Sequence, residues 1–293
     1  MNRMPDFIII GAAKSGTTSL YNYLMQHPDV FMPESKEPCF FDDTVAWGKG
    51  LDWYASLFNE AKDNQICGEA STNYTRWPQV HGVPERMKKI VPNVKLIYVI
   101  RNPVERAYSH YVHRWTKEVY PGLPFTMDFF EYVRKDPMCI DSSKYSDQLD
   151  RYLKEFKQEQ ILVIVFENLL QNPAVVLSEV QEFLELKKID TMNKALPFAN
   201  ENKLFRHHII RKQLTSKIKK LWGINSILKI IPRSIKDQLY NKVILKTTSA
   251  DKLIASFSPP PLTIKDKNLL GGIFSDSNNK LAKLWKIDIS YWS

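Results

Sequence analysis

A chain in which Phe7-Ile-Ile-Ile10 runs straight into a loop bounded by Gly11 and Gly16, and then into Thr17-Thr-Ser-Leu20, has few folds open to it. Four apolar residues in a row suit a strand buried on both faces. The chain then turns at Gly11 and starts a helix near Gly16 that runs through Leu20, Tyr23 and Leu24 until His27-Pro28 stops it. A strand, a glycine turn and a helix in that order aim unpaired amides and the positive end of the helix dipole at the carboxyl edge of the strand. Lys14 and the hydroxyls of Ser15, Thr17, Thr18 and Ser19 gather at the same place, so the loop reads as an anion cradle.

The cradle differs from a Walker A loop, G-x-x-x-x-G-K-[ST], at one residue. There a lysine after the second glycine reaches the β and γ phosphates. Here Gly11 and Gly16 keep the spacing, but Thr17 stands at the lysine position and Lys14 lies inside the loop. A lysine held there faces the near end of a short anionic chain. The expected ligand is therefore a nucleotide whose reactive group is its second anionic centre, and the usual ATP or GTP reading is weakened at the residue that matters most to it.

A second segment supports this reading. Val94-Lys-Leu-Ile-Tyr-Val-Ile100 reads as a buried strand and delivers Arg101-Asn-Pro-Val-Glu-Arg-Ala-Tyr-Ser109. Pro103 suits the first turn of a helix and Asn102 its cap. Arg101 then lies at the carboxyl end of one strand and the Lys14 loop at the end of another, the edge where open α/β sheets bind ligands. Ser109 falls about two helical turns after Pro103, on the face of Glu105 and Arg106 by three- and four-residue spacing. Arg101 and Ser109 converging there suit a second phosphate.

These two segments, Gly11-Ala-Ala-Lys-Ser-Gly-Thr-Thr-Ser19 and Ile100-Arg-Asn-Pro-Val-Glu-Arg-Ala-Tyr-Ser109, resemble the two cofactor motifs of sulfotransferases that use 3'-phosphoadenosine 5'-phosphosulfate (PAPS). Pro33-Glu-Ser-Lys-Glu-Pro-Cys-Phe-Phe-Asp42 is similar to the K-E-x-x-F-F segment of the carbohydrate branch, which includes the heparan sulfate sulfotransferases. Gly68-Glu-Ala-Ser-Thr-Asn-Tyr74, Ile161-Leu-Val-Ile-Val-Phe-Glu-Asn-Leu-Leu170 and Asn279-Lys-Leu-Ala-Lys-Leu-Trp285 extend the likeness. The resemblance implies a P-loop-type three-layer α/β/α fold with a mostly parallel central sheet and a helical C-terminal part. It implies that Lys14, Ser15, Gly16, Thr17, Thr18 and Ser19 bind the 5'-phosphosulfate, and that Arg101 and Ser109 bind the 3'-phosphate. Lys14 then serves as electrostatic catalyst and Glu37 as the base that takes the acceptor's proton. The implied acceptor is a hydroxyl, less readily an amine, of a carbohydrate or other small alcohol. Sulfuryl transfer is an in-line displacement, so positioning and charge neutralisation carry it. The sulfonate carries less charge than a terminal phosphate, and no divalent metal is expected.

Two departures from the family pattern stand out. Many heparan-type relatives have a lysine after the glutamate of E-K-[ST]-P-x-Y, where this chain has Ala70 after Glu69, so a charged substrate contact is missing there. The late Lys-Gly-Arg loop of some relatives has no clear counterpart, and Arg206 or Arg211 are the substitutes. Cytosolic relatives use a histidine base. His81, His110 and His113 lie nearest the motifs and read as surface histidines.

Strand signals near 7–10, 66–69, 95–100 and 161–166 alternate with helix signals near 16–26, 84–90, 103–117, 144–157 and 173–186, which predicts a mostly parallel sheet flanked by helices. One domain over 1–293 is expected, with its α/β core about 5–190, a basic helical segment about 203–250 and a C-terminal helix about 276–287. Cys39, Cys67 and Cys139, odd in number and widely spaced, suit a reducing compartment. The run after Met1 is too short for a signal peptide or membrane span, so a cytoplasmic, bacterial-type enzyme is expected.

Much of the net charge of +9 resides between Lys203 and Lys246, where twelve Lys or Arg face one acid, Asp237. The plainer reading is a pair of helices with solvated basic faces. The other is peripheral contact with anionic membrane or acidic polymer. No nucleic-acid partner is expected. Two rival functions remain open at this level: an ATP and magnesium-dependent P-loop kinase, and a non-enzymatic protein that binds anionic polymers through 203–246.

Overall fold

The computed structural model describes residues 3–114, 127–189 and 261–292. The basic segment 203–246, with Arg206 and Arg211, lies outside the described residues. The chain divides into two compact units. One comprises Met1–His110, Val133–Phe198 and Thr263–Ser293 and holds the sheet. The other comprises Tyr111–Tyr132 and Ala199–Leu262. Within it Tyr111 packs edge-on to Phe129 and donates from its hydroxyl to the Met127 carbonyl at 2.6 Å.

Five strands form the sheet: β1 (Phe7–Gly11), β2 (Val30–Phe31), β3 (Ile66–Ala70), β4 (Lys95–Ile100) and β5 (Ile161–Val165). Their order is β2-β3-β1-β4-β5 and every pairing is parallel. The four strand signals in the sequence each became a strand. The short edge strand β2 escaped notice, because two residues carry no periodicity to detect.

The helices of the unit are α1 (Thr17–Leu24), α2 (Leu51–Ser56), α3 (Val83–Ile90), α4 (Pro103–Arg114), α5 (Phe129–Lys135), α6 (Met138–Asp141), α7 (Tyr145–Tyr152), α8 (Phe166–Gln171), α9 (Pro173–Phe183) and α10 (Ile264–Trp285), of which α4 and α5 run on into the second unit. A fully apolar central strand must be covered on both sides, and it is. Ile8, Ile10, Leu96 and Tyr98 share one core with Met87 of α3, Leu149 of α7 and Leu281 of α10. Phe7, Ile9, Ile97 and Val99 share the opposite core with Leu20 of α1 and Val176 and Val180 of α9. The result is the expected three-layer α/β arrangement.

Helix ends moved by a few residues. Helix α1 stops at Leu24, before His27, whose Nδ1 accepts the Asp29 amide at 3.1 Å and turns the chain into β2. Helix α10 starts twelve residues earlier than the expected 276, at a capping box in which Thr263 Oγ1 accepts from the Asp266 amide at 3.1 Å and Asp266 Oδ2 from the Thr263 amide at 2.7 Å. Among the described residues no helix is long and apolar enough to cross a membrane.

Gly68 shows how tightly β1 and β3 are joined. It pairs in register with Phe7, and a Cβ on it would stand 2.1 Å from the Phe7 ring. Gly68→Ala is expected to destabilise the protein by about 1–3 kcal/mol through overpacking, measured as a lower urea midpoint with unchanged slope.

Candidate functional site

The loop after β1 is fixed before it reaches Lys14. The Ala12 amide donates to the Val99 carbonyl of β4 at 2.7 Å, and Thr75 Oγ1 donates to the Ile10 carbonyl at 3.2 Å. A Cβ at Gly11 would meet that Thr75 oxygen at 2.1 Å, so only glycine lets the turn close here. Lys14 and Gly16 both adopt left-handed backbone, with φ of 72° and 87°. The two reversals release the chain into α1 at Thr17. A glycine accepts such a conformation freely, whereas Lys14 is held in it by its surroundings. Helix α1 has no acidic residue in its first turn and no side-chain cap at Gly16, so nothing of its own offsets the positive end of its dipole. Ser15 is fully buried. Its hydroxyl makes no hydrogen bond among the described residues; the Tyr145 phenol lies near enough to be influenced by it, but short of hydrogen-bond geometry.

Strand β4 lies beside β1 and ends in the second motif. Arg101 Nη1 donates to the Lys14 carbonyl at 3.4 Å, its guanidinium stacks 5.4 Å over the Phe166 ring, and its Nη2 lies 3.9 Å from Glu105. The Tyr145 phenol donates to the Arg101 carbonyl at 2.7 Å. Asn102 Oδ1 accepts the amides of Val104 and Glu105 at 3.0 and 3.2 Å and caps α4, as its place before Pro103 predicts. Ser109 is half-buried on α4.

Sequence reasoning missed how completely α4 grips the loop. Arg106 is 0% exposed. Its guanidinium donates to Ser143 Oγ at 2.5 Å, to the Ala13 carbonyl at 3.3 Å and to the Cys139 carbonyl. Its partners among the described residues are neutral oxygens, so its positive charge stays available beside the cradle. The signal was its place three residues before Ser109, on one helix face. The histidine reading needs correction: His81 is exposed and His113 half-buried, but His110 is buried within α4 at 4% exposure. The helix turns that face inward, which a single residue type does not disclose.

Glu37 lies at the same edge of the sheet. Its amide donates to the Ala70 carbonyl, at the end of β3, at 3.0 Å. Its half-buried carboxylate accepts from Lys36 Nζ at 2.8 Å on Oε1 and from the Thr72 amide at 2.7 Å on Oε2. The Thr72 hydroxyl adds a second bond to Oε2 at 3.2 Å, so Oε1, which has Lys36 and a longer 3.4 Å contact from that hydroxyl, is the oxygen with more accepting capacity left. Phe40 and Phe41 behind it are buried, with Phe40 stacked on Tyr54 at 4.2 Å. Lys36 is thus the partner of Glu37 and not a solvated loop charge.

A second carboxylate stands beneath it. Glu69, 1% exposed, accepts from Tyr54 at 3.1 Å, Tyr74 at 2.8 Å and Ser71 at 2.8 Å. Burial raises its pKa to about 7 from 4.5, the three hydroxyls oppose that, and Glu37 adds to it. No local residue pattern pointed to this, since a glutamate inside an apolar strand is recognised only when its hydroxyl partners are seen.

The structure therefore brings Lys14, Arg101 and the α1 start together directly, and sets Glu37 along the same edge through β3. A sulfotransferase domain model matches residues 4–221. The chain belongs to the sulfotransferase domain family.

The sulfotransferase domain has curated relatives in heparan sulfate enzymes. It is 36% identical over 194 residues to the human heparan sulfate glucosamine 3-O-sulfotransferase 6, covering 64% of this chain and 54% of that protein. It is 30% identical over 214 residues to the human bifunctional heparan sulfate N-deacetylase/N-sulfotransferase 3, covering 67% and 24%. The chain thus spans about a quarter to a half of the length of these relatives. Among solved structures, a sulfotransferase from Alicyclobacillus acidocaldarius superposes with a TM-score of 0.67 at 24% identity over 99% of both chains. Mouse sulfotransferase SULT7A1 complexed with PAP superposes with a TM-score of 0.50 at 13% identity over 94% of this chain and 84% of that one. These two share the α/β fold.

Replacing Arg106 by Met takes its side-chain donor from the part-buried Ala13 carbonyl and leaves the Cys139 carbonyl with the Ser143 hydroxyl alone, and is expected to destabilise the domain by about 1–3 kcal/mol, read in urea unfolding. Glu69 gives a pH signature. The folded protein keeps its proton where the unfolded chain has lost it, so this contribution is full below about pH 4.5 and is lost as pH rises to about 7. Glu69→Gln cannot titrate. Its stability relative to the natural protein is expected to rise by about 3 kcal/mol across that window, measured by unfolding at stepped pH.

Proposed function

We propose that this sulfotransferase domain moves the sulfuryl group of PAPS to a hydroxyl of a carbohydrate or similar alcohol, with Lys14 as electrostatic catalyst and Glu37 as base. One observation carries the reading: the Arg101 guanidinium reaches the Lys14 carbonyl at 3.4 Å across 87 residues of sequence. Two cationic motifs at one sheet edge suit a nucleotide with an anionic group at each end of its ribose. The buried Ser15 hydroxyl and the uncompensated start of α1 fit a phosphosulfate, each offering donors to an anion.

In this scheme Lys14, the hydroxyls of Ser15, Thr17, Thr18 and Ser19 and the amides from Gly16 hold the 5' end, while Arg101 and Ser109 hold the 3'-phosphate. PAPS, when bound, supplies an electrophilic sulfur on a good leaving group. The acceptor oxygen bonds to sulfur, the bond from sulfur to the bridging phosphate oxygen breaks, and the acceptor's proton passes to Glu37. Lys14 and the loop amides neutralise the charge left on the departing oxygen, an effect worth about 3–4 kcal/mol per well-placed donor. The 3-O-sulfotransferase relatives support a sugar hydroxyl, and the N-sulfotransferase relatives keep an amine as the second choice. Ala70 removes one cation from the acceptor side, which supports an acceptor with less negative charge than heparan.

Calorimetry and turnover separate the roles. Lys14→Ala is expected to lose most turnover and to bind adenosine 3',5'-bisphosphate at least about tenfold more weakly. Glu37→Gln is expected to lose about a hundredfold or more in kcat, within the range of a general base, while binding the bisphosphate as before. Stabilisation by ATP with magnesium but not by the bisphosphate would overturn the reading.

A further inference from the structure

We propose that Glu69 is a positioning residue for Glu37: its buried carboxylate orients the Ser71 and Tyr74 hydroxyls so that they hold the left-handed turn on which Glu37 sits. This rests on the reading of Glu37 as the base.

The turn has few means of its own to keep its shape. Glu37 and Cys39 have φ of 62° and 51°, left-handed values that side chains with a Cβ rarely adopt, and Pro38 between them has no amide to donate. Three amides of the segment are held from outside, that of Glu37 by the Ala70 carbonyl at 3.0 Å and the other two by hydroxyls. The Cys39 amide donates to Ser71 Oγ at 2.9 Å, and the Phe41 amide donates to the Tyr74 hydroxyl at 3.3 Å. A hydroxyl accepts well from an amide when its own proton points elsewhere, and here both protons point at Glu69. Ser71 donates to Oε2 and Tyr74 to Oε1, each at 2.8 Å. Tyr54, which completes the carboxylate's shell at 3.1 Å, also stacks on Phe40 of the same turn.

The chain of contacts therefore runs from the Glu69 carboxylate to two hydroxyls, from these to two amides, and from the amides to the backbone that aims Glu37. Thr72, next to Ser71, closes the circuit by donating its amide to Glu37 Oε2 at 2.7 Å. None of these bonds involves Lys14, Arg101 or the loop between Gly11 and Gly16. Glu69 thus acts on the base and not on the nucleotide.

Glu69→Gln in the full chain, compared with the natural protein at pH 8 or above, where Glu69 is ionised and accepts on both oxygens, tests this. One amide proton of glutamine must face a hydroxyl that donates in the natural protein, and the orientation of at least one arm is lost. Hydrogen exchange needs no turnover and reads the hub alone: protection over residues 37–41 is expected to fall at least about tenfold while β1 and β4 keep theirs. Turnover reads the consequence: kcat is expected to fall about tenfold, with KM for PAPS and affinity for adenosine 3',5'-bisphosphate within about twofold of normal. The Glu37→Gln, Glu69→Gln double variant should be no slower than Glu37→Gln alone. Normal kcat, normal exchange at 37–41, or a loss of bisphosphate affinity in step with kcat would each overturn the role. If Glu37→Gln alone keeps full kcat, the base assignment fails, and exchange still decides whether Glu69 holds the turn. Should Glu69→Gln not fold, Ser71→Ala, which removes the acceptor of the Cys39 amide, is read by the same outcomes.

Discussion

A buried guanidinium fastens the anion cradle to the rest of the sheet edge. Arg106 reaches the Ala13 carbonyl in the loop and the Cys139 carbonyl and Ser143 hydroxyl behind it, and so ties two stretches of chain that the strands themselves do not connect. Burying a charge against neutral acceptors is unfavourable unless it gains something. What it gains here is a fixed loop and a positive charge beside the cradle proposed to bind an anion. Arg101 repeats the device one strand end away, with its own bond to the loop at Lys14.

The same economy of parts governs the Glu37 turn. Glu37 is aimed by a turn in which two residues with side chains hold left-handed backbone, a conformation that persists only when surrounding bonds over-determine it. Those bonds come from the segment that follows β3, and Glu69 anchors that segment beneath the surface. The two carboxylates differ by environment: one is half-buried, and the other is enclosed by three hydroxyls and shifted toward neutral pH by burial. The cradle and the Glu37 turn are held by different bonds, although the segment after β3 contributes to both, Thr75 to the one and Ser71 and Tyr74 to the other.

Membership of the sulfotransferase domain family agrees with this architecture, since the cradle, the Arg101 segment and the Glu37 turn are the parts through which the sequence resembles it. One departure falls at the end of β3, beside the Glu37 turn. Ala70 occupies the end of β3, buried, and offers no charge to a substrate.

The amino-acid sequence by itself determined the strand, turn and helix of the cradle, the parallel order of strand and helix signals, and the cap at Asn102. These follow from short-range rules: apolar runs that need two covered faces, glycines at left-handed turns, and an amide side chain ahead of a helix-starting proline. The tertiary structure alone decided that Arg106 would grip the loop, that His110 would turn inward, that Lys36 would pair with Glu37, and that Glu69 would stand under the turn. Apart from the neighbours Lys36 and Glu37, those depend on partners that lie far along the chain, such as Ala13 with Arg106 or Cys39 with Ser71. Long-range partners are chosen by how the layers pack, and no local pattern of residues encodes them.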